Sequence, residues 1–203
     1  AEIPRMLFEG TDRVTAALSR ARELGVRRAW CGNLGAIRMA RQAGLTPVGG
    51  YSLNITNSLA LDEYAALGLE DTELSFELSV GRIRELDGGL PQGILAYGYL
   101  PLMYFRACPL QGPRGCGACP GEGALTDRRG VRFPVRCEGR RYSVLYNSVP
   151  LYLGDDRLEG LDFATLYFTQ EPREACERVV RAFCRHEPLD EPRTRGLYRR
   201  DLL

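Results

Sequence analysis

The chain has 203 residues, 44% hydrophobic and 26% charged, which is the composition of an ordinary globular domain with at most a small insertion. Its net charge is +1, so no global field draws it to nucleic acid or membrane, and all 27 basic residues are arginine, which excludes a Schiff-base lysine, a lysine general base and a phosphate-loop lysine. No apolar run approaches the ~20 residues of a membrane helix, and Ala1 to Gly10 lacks the layout of a secretory signal, so no membrane contact and a cytoplasmic location are expected.

The expected elements alternate between strand and helix. Arg5 to Glu9 reads as a short strand. Thr11 reads as the cap of a helix whose Val14, Leu18 and Ala21 recur at helical spacing, and Gly25 ends it. Val26 to Cys31 is the next strand, and Leu34 to Gln42 the next helix, stopped by Gly44. Pro47 to Tyr51 is a third strand. Asn57 or Ser58 opens a helix that ends at Gly68. Thr72 to Leu78 reads as a strand, Val80 to Leu86 as a short helix and Gln92 to Tyr97 as a fifth strand. The alternation stops at Pro101. Cysteines, glycines and prolines follow, then β-type runs at Val131 to Arg136 and Tyr142 to Tyr146. It resumes with a strand at Phe163 to Thr169 and a helix at Glu174 to Arg185, preceded by Pro172.

Six strand–helix units with short loops predict a parallel sheet. No Gly-x-Gly-x-x-Gly follows a strand, so a dinucleotide site is unsupported. The fold class is α/β, read as a (β/α) barrel. Six units against the eight of a closed barrel make it a partial or incomplete TIM barrel, or a piece of a longer protein. Residues 1-100 and 157-203 form the barrel-like domain, and 101-156 an inserted metal-binding and β module.

The most specific signal is Cys108-x7-Cys116-x2-Cys119-x17-Cys137. The Cys-x2-Cys core lets two sulfurs converge from one tight turn, and Gly115 and Gly117 supply the backbone freedom. Four thiolates suit a structural zinc or an iron–sulfur cluster. Spacing alone does not choose, although zinc ribbons more often carry two such pairs. Cys31 reads as a buried core residue. Cys176 and Cys184, eight apart, share a helix face as packing residues, with Cys176 the substitute ligand.

Other candidates are polar groups near strand ends, where barrels place their chemistry: Asn33, Asn54, Asn57, Glu77 and Tyr97. Glu77 is the one carboxylate among them and the candidate general base. Eight arginines fall between Arg106 and Arg141 against three acids, a composition suited to RNA phosphates or a small anionic substrate; Arg106 and Arg128 are the substrate-binding candidates. The lone histidine, His186, sits in a polar segment after a helix, and no His-Glu-x-x-His exists, so the residues themselves speak against ordinary proteolysis.

Several longer motifs carry a resemblance. They are Ala96-Tyr97-Gly98-Tyr99-Leu100-Pro101-Leu102-Met103, Cys108-Pro109, Cys116-Gly117-x-Cys119, Leu125-Thr126-Asp127-Arg128-Arg129-Gly130 and Phe133-Pro134-Val135-Arg136-Cys137. Gly32-Asn33-Leu34-Gly35, Asn54-x-x-Asn57-Ser58, Asn147-Ser148-x-Pro150-Leu151-Tyr152-Leu153 and Thr194-Arg195-Gly196-Leu197-Tyr198 extend the set. Together they resemble the peptidase U-32 (collagenase-like) family, closest to the C-terminal portion of its long bacterial members. The resemblance implies a 4Fe-4S cluster on four cysteines, for which Cys108, Cys116, Cys119 and Cys137 are the natural matches. It also implies oxygen-independent hydroxylation of RNA bases or of a quinone-type ring, with a partner protein or a missing N-terminal domain. Two further expectations stand beside it: the peptidase activity of the family label, and a non-catalytic domain stapled by a four-cysteine metal.

Overall fold

Local chemistry at helix ends accounts for much of the α/β framework. Asn33 and Asn57 are extended N-caps whose side chains accept the amides of Ala36 and Ala60 at 2.8 and 2.9 Å. At the other end the same glycine cap recurs: Gly44 (φ 69°) and Gly68 (φ 87°) turn the chain left-handed. Leu45 and Leu69 then donate back to Ala40 and Tyr64, six residues spanning each closure. These signals delimit α2 (Leu34–Gln42) and α3 (Ser58–Ala66). The computed structural model describes residues 1–8, 10–112 and 115–200, apart from the side chain at 118. Glu9, the end of the expected first strand, lies outside them, as does Arg114 of the arginine run.

The chain divides into two compact units. The first comprises Ala1–Ala96, Asp156–Leu166 and the segment from Arg195 onward. It contains α1 (Thr11–Glu23), then β1 (Arg28–Cys31), α2, β2 (Thr46–Gly49), α3, β3 (Thr72–Glu73), α4 (Val80–Arg84), most of β4 (Gln92–Gly98), and β10 (Phe163–Leu166). β1, β2, β3 and β4 are parallel neighbours in chain order, with β10 beside β4. Ile3, Ala29, Cys31, Ile55, Leu61, Leu74, Ile94 and Leu95 make its core. β1 and β10 are the ends of an open strand path, so no closed barrel is present among the described residues.

Among the boundaries that differ from expectation, two have clear local causes. Residues 5–8 are irregular; the strand-like contact comes earlier, at Glu2 and Ile3 against Trp30, because fully buried Ile3 is the anchor and Pro4 has no amide to extend a ladder. β3 stops after Glu73 because Ser75 takes the chain out of the sheet. Its hydroxyl accepts the Glu77 amide at 3.2 Å and its carbonyl accepts that of Leu78 at 3.2 Å.

Glu73 is 3% exposed and ties the first unit together. Its carboxylate accepts from the Tyr51 amide at 2.9 Å, the Trp30 indole at 3.3 Å and the Thr165 side chain of β10. Burial holds its pKa above the ordinary carboxylate range, while the three donors pull it back. The folded state therefore grips this proton more tightly than the unfolded chain. Its contribution to stability falls as pH rises from the ordinary to the raised pKa, and is flat above. Unfolding free energies of wild type and Glu73→Gln, compared from about pH 4 upward, should show that decline only in wild type; a pH-independent difference would contradict the assignment.

The second unit comprises Tyr97–Asp155 and Tyr167–Thr194. Its antiparallel sheet runs β5 (Pro101–Phe105), β8 (Tyr142–Tyr146), β7 (Arg132–Glu138), β6 (Glu122–Thr126). β9 (Leu151–Tyr152) pairs with Tyr97 and Gly98 at the end of β4, and α5 (Arg173–Cys184) follows. Val135, Val144, Leu145, Tyr146 and Tyr152 fill the interior. No helix among the described residues is long and apolar enough to cross a membrane.

Candidate metal centre

The four cysteines of the spaced motif come together through sheet pairing in the second unit. Cys108 follows β5, Cys116 lies within a short 3-10 turn at Gly115–Ala118, and Cys119 follows that turn directly. Cys137 stands near the end of β7. The β6–β7 hairpin places Glu122 opposite Arg136, and one residue further on the Cys137 amide donates to the Gly121 carbonyl at 2.7 Å. Cys119 lies two residues before Gly121, so this bond brings the knuckle to the strand.

Cys108, Cys116, Cys119 and Cys137 line one cavity of about 60 Å³, together with Leu110, Gly121, Tyr142, Ser143 and three arginines, Arg106, Arg140 and Arg141. As the side chains are set, no three His, Cys, Asp or Glu groups among the described residues clasp a single point. The four cysteines line a shared space instead.

Main-chain amides turn toward these sulfurs. Gly121 N–H donates to Cys119 Sγ at 3.4 Å, and Arg140 N–H to Cys137 Sγ at 3.3 Å. Such bonds tie each sulfur to the main chain beside the cavity. The second bond depends on an unusual turn: Gly139 (φ 59°) and Arg140 (φ 62°) are both left-handed, closed by Arg141 N–H to the Glu138 carbonyl at 3.1 Å. Glycine is the usual residue where Arg140 sits, so an arginine there carries a backbone cost. Arg140 itself lines the cysteine cavity. A further mark is Ser143. Its side chain lines the cavity, is 1% exposed, and its hydroxyl has no partner among the described residues. The donor set, the arginine countercharge and this orphan hydroxyl fit a thiolate-bound metal group.

The other three cysteines stand elsewhere. Cys31 is fully buried and its thiol is pushed up to about 11 by burial, as befits a core residue. Cys176 on α5 points its thiol at the Glu171 carbonyl, 3.7 Å away, and Cys184 is exposed. Neither lines the cysteine cavity.

The remaining candidates divide between the units. In the first, Asn33 caps α2 and donates to the Arg5 carbonyl at 2.9 Å. Asn54 takes a left-handed conformation (φ 54°) and accepts the Ser75 hydroxyl at 2.7 Å. Asn57 caps α3 and shares a surface depression with exposed Glu77 and with Arg82 and Glu85. In the second, Arg106 lines the cysteine cavity, while Arg128 is exposed on the β6–β7 turn that Asp127 organises by accepting the amides of Arg129 and Val131. Tyr97 is 3% exposed, its ring 5.1 Å from that of Phe168. Its hydroxyl is held far above the ordinary tyrosine range by burial and then by the Glu171 carboxylate. That is an interior position, and an open rim would leave it wet.

His186 has a structural role. Left-handed at φ 55°, it takes the place glycine holds after α2 and α3, with its amide to Phe183 and that of Glu187 to Ala182. Sequence reasoning missed Glu73 and Ser143, and took Arg140 and Arg141 only as members of the arginine run. Arg140 had one local signal, its place in Cys137-Glu138-Gly139-Arg140, where a glycine follows a ligand candidate. No family model, no curated protein and no solved structure matches this chain.

Proposed function

We infer that Cys108, Cys116, Cys119 and Cys137 hold one 4Fe-4S cluster. The chain is then an iron–sulfur protein of the peptidase U-32-like kind, taking part in oxygen-independent hydroxylation of RNA bases or a quinone-type ring. The observation that carries this reading is the single cavity bordered by all four thiols. When bound, the cluster supplies one-electron redox chemistry. The chain's own residues do the rest. The Gly121 and Arg140 amides would orient two of the ligand sulfurs, and Arg106, Arg140 and Arg141 would offset the negative charge of a bound cluster. Arg128, on the exposed turn nearby in sequence, offers a fork for an anionic substrate.

The strand order supports the finer fold reading. Four parallel strands in chain order, with a helix between each pair and no reversal, are the order expected of a barrel arc, whereas a doubly wound sheet reverses at a switch point. In such an arc Glu77 and Asn57, which share a depression after β3 and β2, would be the polar pair facing substrate, with Glu77 as base. A partner protein or a further domain would complete the site.

Nucleoside and quinone profiles of anaerobically grown host cells, with and without the gene, test the activity. Loss of a hydroxylated nucleoside or quinone, restored by wild type and not by Cys119→Ser, is the expected result. Unchanged profiles, or peptide cleavage that survives replacement of all four cysteines, would contradict it.

A further inference from the structure

Ser143 stands directly opposite Cys137 in the β7–β8 register. It is 1% exposed, lines the thiol cavity, and its hydroxyl oxygen is buried without a partner among the described residues. A buried hydroxyl that bonds to nothing forgoes its water without return. Alanine would occupy the same strand position without that cost. The hydroxyl is satisfied once an acceptor enters the cavity. The acceptors a thiolate cluster brings are sulfurs, both cysteinyl and inorganic, and a serine O–H can rotate to meet one.

We propose that Ser143 donates a hydrogen bond to a sulfur of the bound cluster and thereby raises its reduction potential. The proposal rests on the cluster reading above. No covalent bond is made or broken. On one-electron reduction the added charge resides largely on the cluster and its sulfurs, and a donor aimed there stabilises the reduced form more than the oxidised form. The three arginines around the cavity act in the same direction, but they sit at its wetter margin, where solvent screens them. Ser143 is the one fully enclosed donor among the side chains lining it. Its position on the central strand β8, paired on both sides by β5 and β7, keeps it from moving away.

The test compares wild type and Ser143→Ala, both purified anaerobically with their metal. Iron and acid-labile sulfide are counted, and the midpoint potential is taken from a redox titration followed by electron paramagnetic resonance. Equal iron, a midpoint more negative than wild type, and loss of one strongly coupled exchangeable proton from the spectrum of the reduced form are expected. Equal iron with an unchanged midpoint overturns the proposal. Loss of iron from the variant alone also overturns it, because Ser143 would then be needed to build the site and not to tune it. Wild type that takes up no iron overturns the cluster reading itself, and this is seen before any variant is made.

Discussion

Cys137→Ser is expected to strip the protein of iron while leaving the second unit folded. Cys137 is the one proposed ligand carried by a regular strand, and its place is fixed three ways. Its amide is bonded to Gly121, its sulfur receives the Arg140 amide, and it pairs with Ser143 across the sheet. Serine preserves the first and third of these and nearly the same volume. What it removes is the soft thiolate. Outer-shell partners alone are worth about 10–100-fold in metal affinity, so loss of a direct ligand should exceed roughly 100-fold. Cys176→Ser and Cys184→Ser, on α5, should keep full iron. Iron counted per chain after anaerobic purification separates the two groups. Retention of iron by Cys137→Ser together with its loss from Cys176→Ser would reassign the ligand set.

Glu73→Ala should be the most damaging substitution in the first unit. It strands three buried donors: the Tyr51 amide, the Trp30 indole and the Thr165 side chain. Each unmet group costs about 1–3 kcal/mol, and relief from burying a carboxylate offsets part of that, for a net loss of about 3 kcal/mol. For a chain of this size that is roughly 6–12 °C in melting temperature. Glu73→Gln, which keeps one acceptor oxygen and the volume, should lose less than half as much. Equal melting of wild type and Glu73→Ala would show that the three donors find other partners.

What could be read from residues alone followed the range of the physics involved. The caps at Asn33 and Asn57 and the glycines at 44 and 68 act within one turn, and they placed α2 and α3. The strand β8 was legible at both ends, since Tyr142 to Tyr146 is an apolar and aromatic run broken only by Ser143. β6 was not, because Glu122-Gly123-Ala124-Leu125-Thr126 has no alternation and is a strand only through its pairing with β7. β3 was overestimated because the Ser75 turn competes with the sheet through a side-chain bond that periodicity does not register. Glu73 was invisible for a similar reason. A carboxylate in a short strand reads as solvent-facing until Trp30 and Thr165 arrive from distant parts of the chain. The cysteines were legible as a set because spacing carries ligand chemistry. Their common cavity required the Gly121–Cys137 pairing, and the strained Arg140 and orphaned Ser143 appear only once β7 and β8 are in register.

The most direct measurement is metal and sulfide analysis of wild-type protein purified without oxygen, with its absorbance spectrum recorded before and after reduction. A 4Fe-4S cluster predicts about four iron and four acid-labile sulfide per chain, with a broad charge-transfer band that bleaches on reduction. One zinc per chain with neither iron nor sulfide would contradict the account and leave the four cysteines as a structural staple.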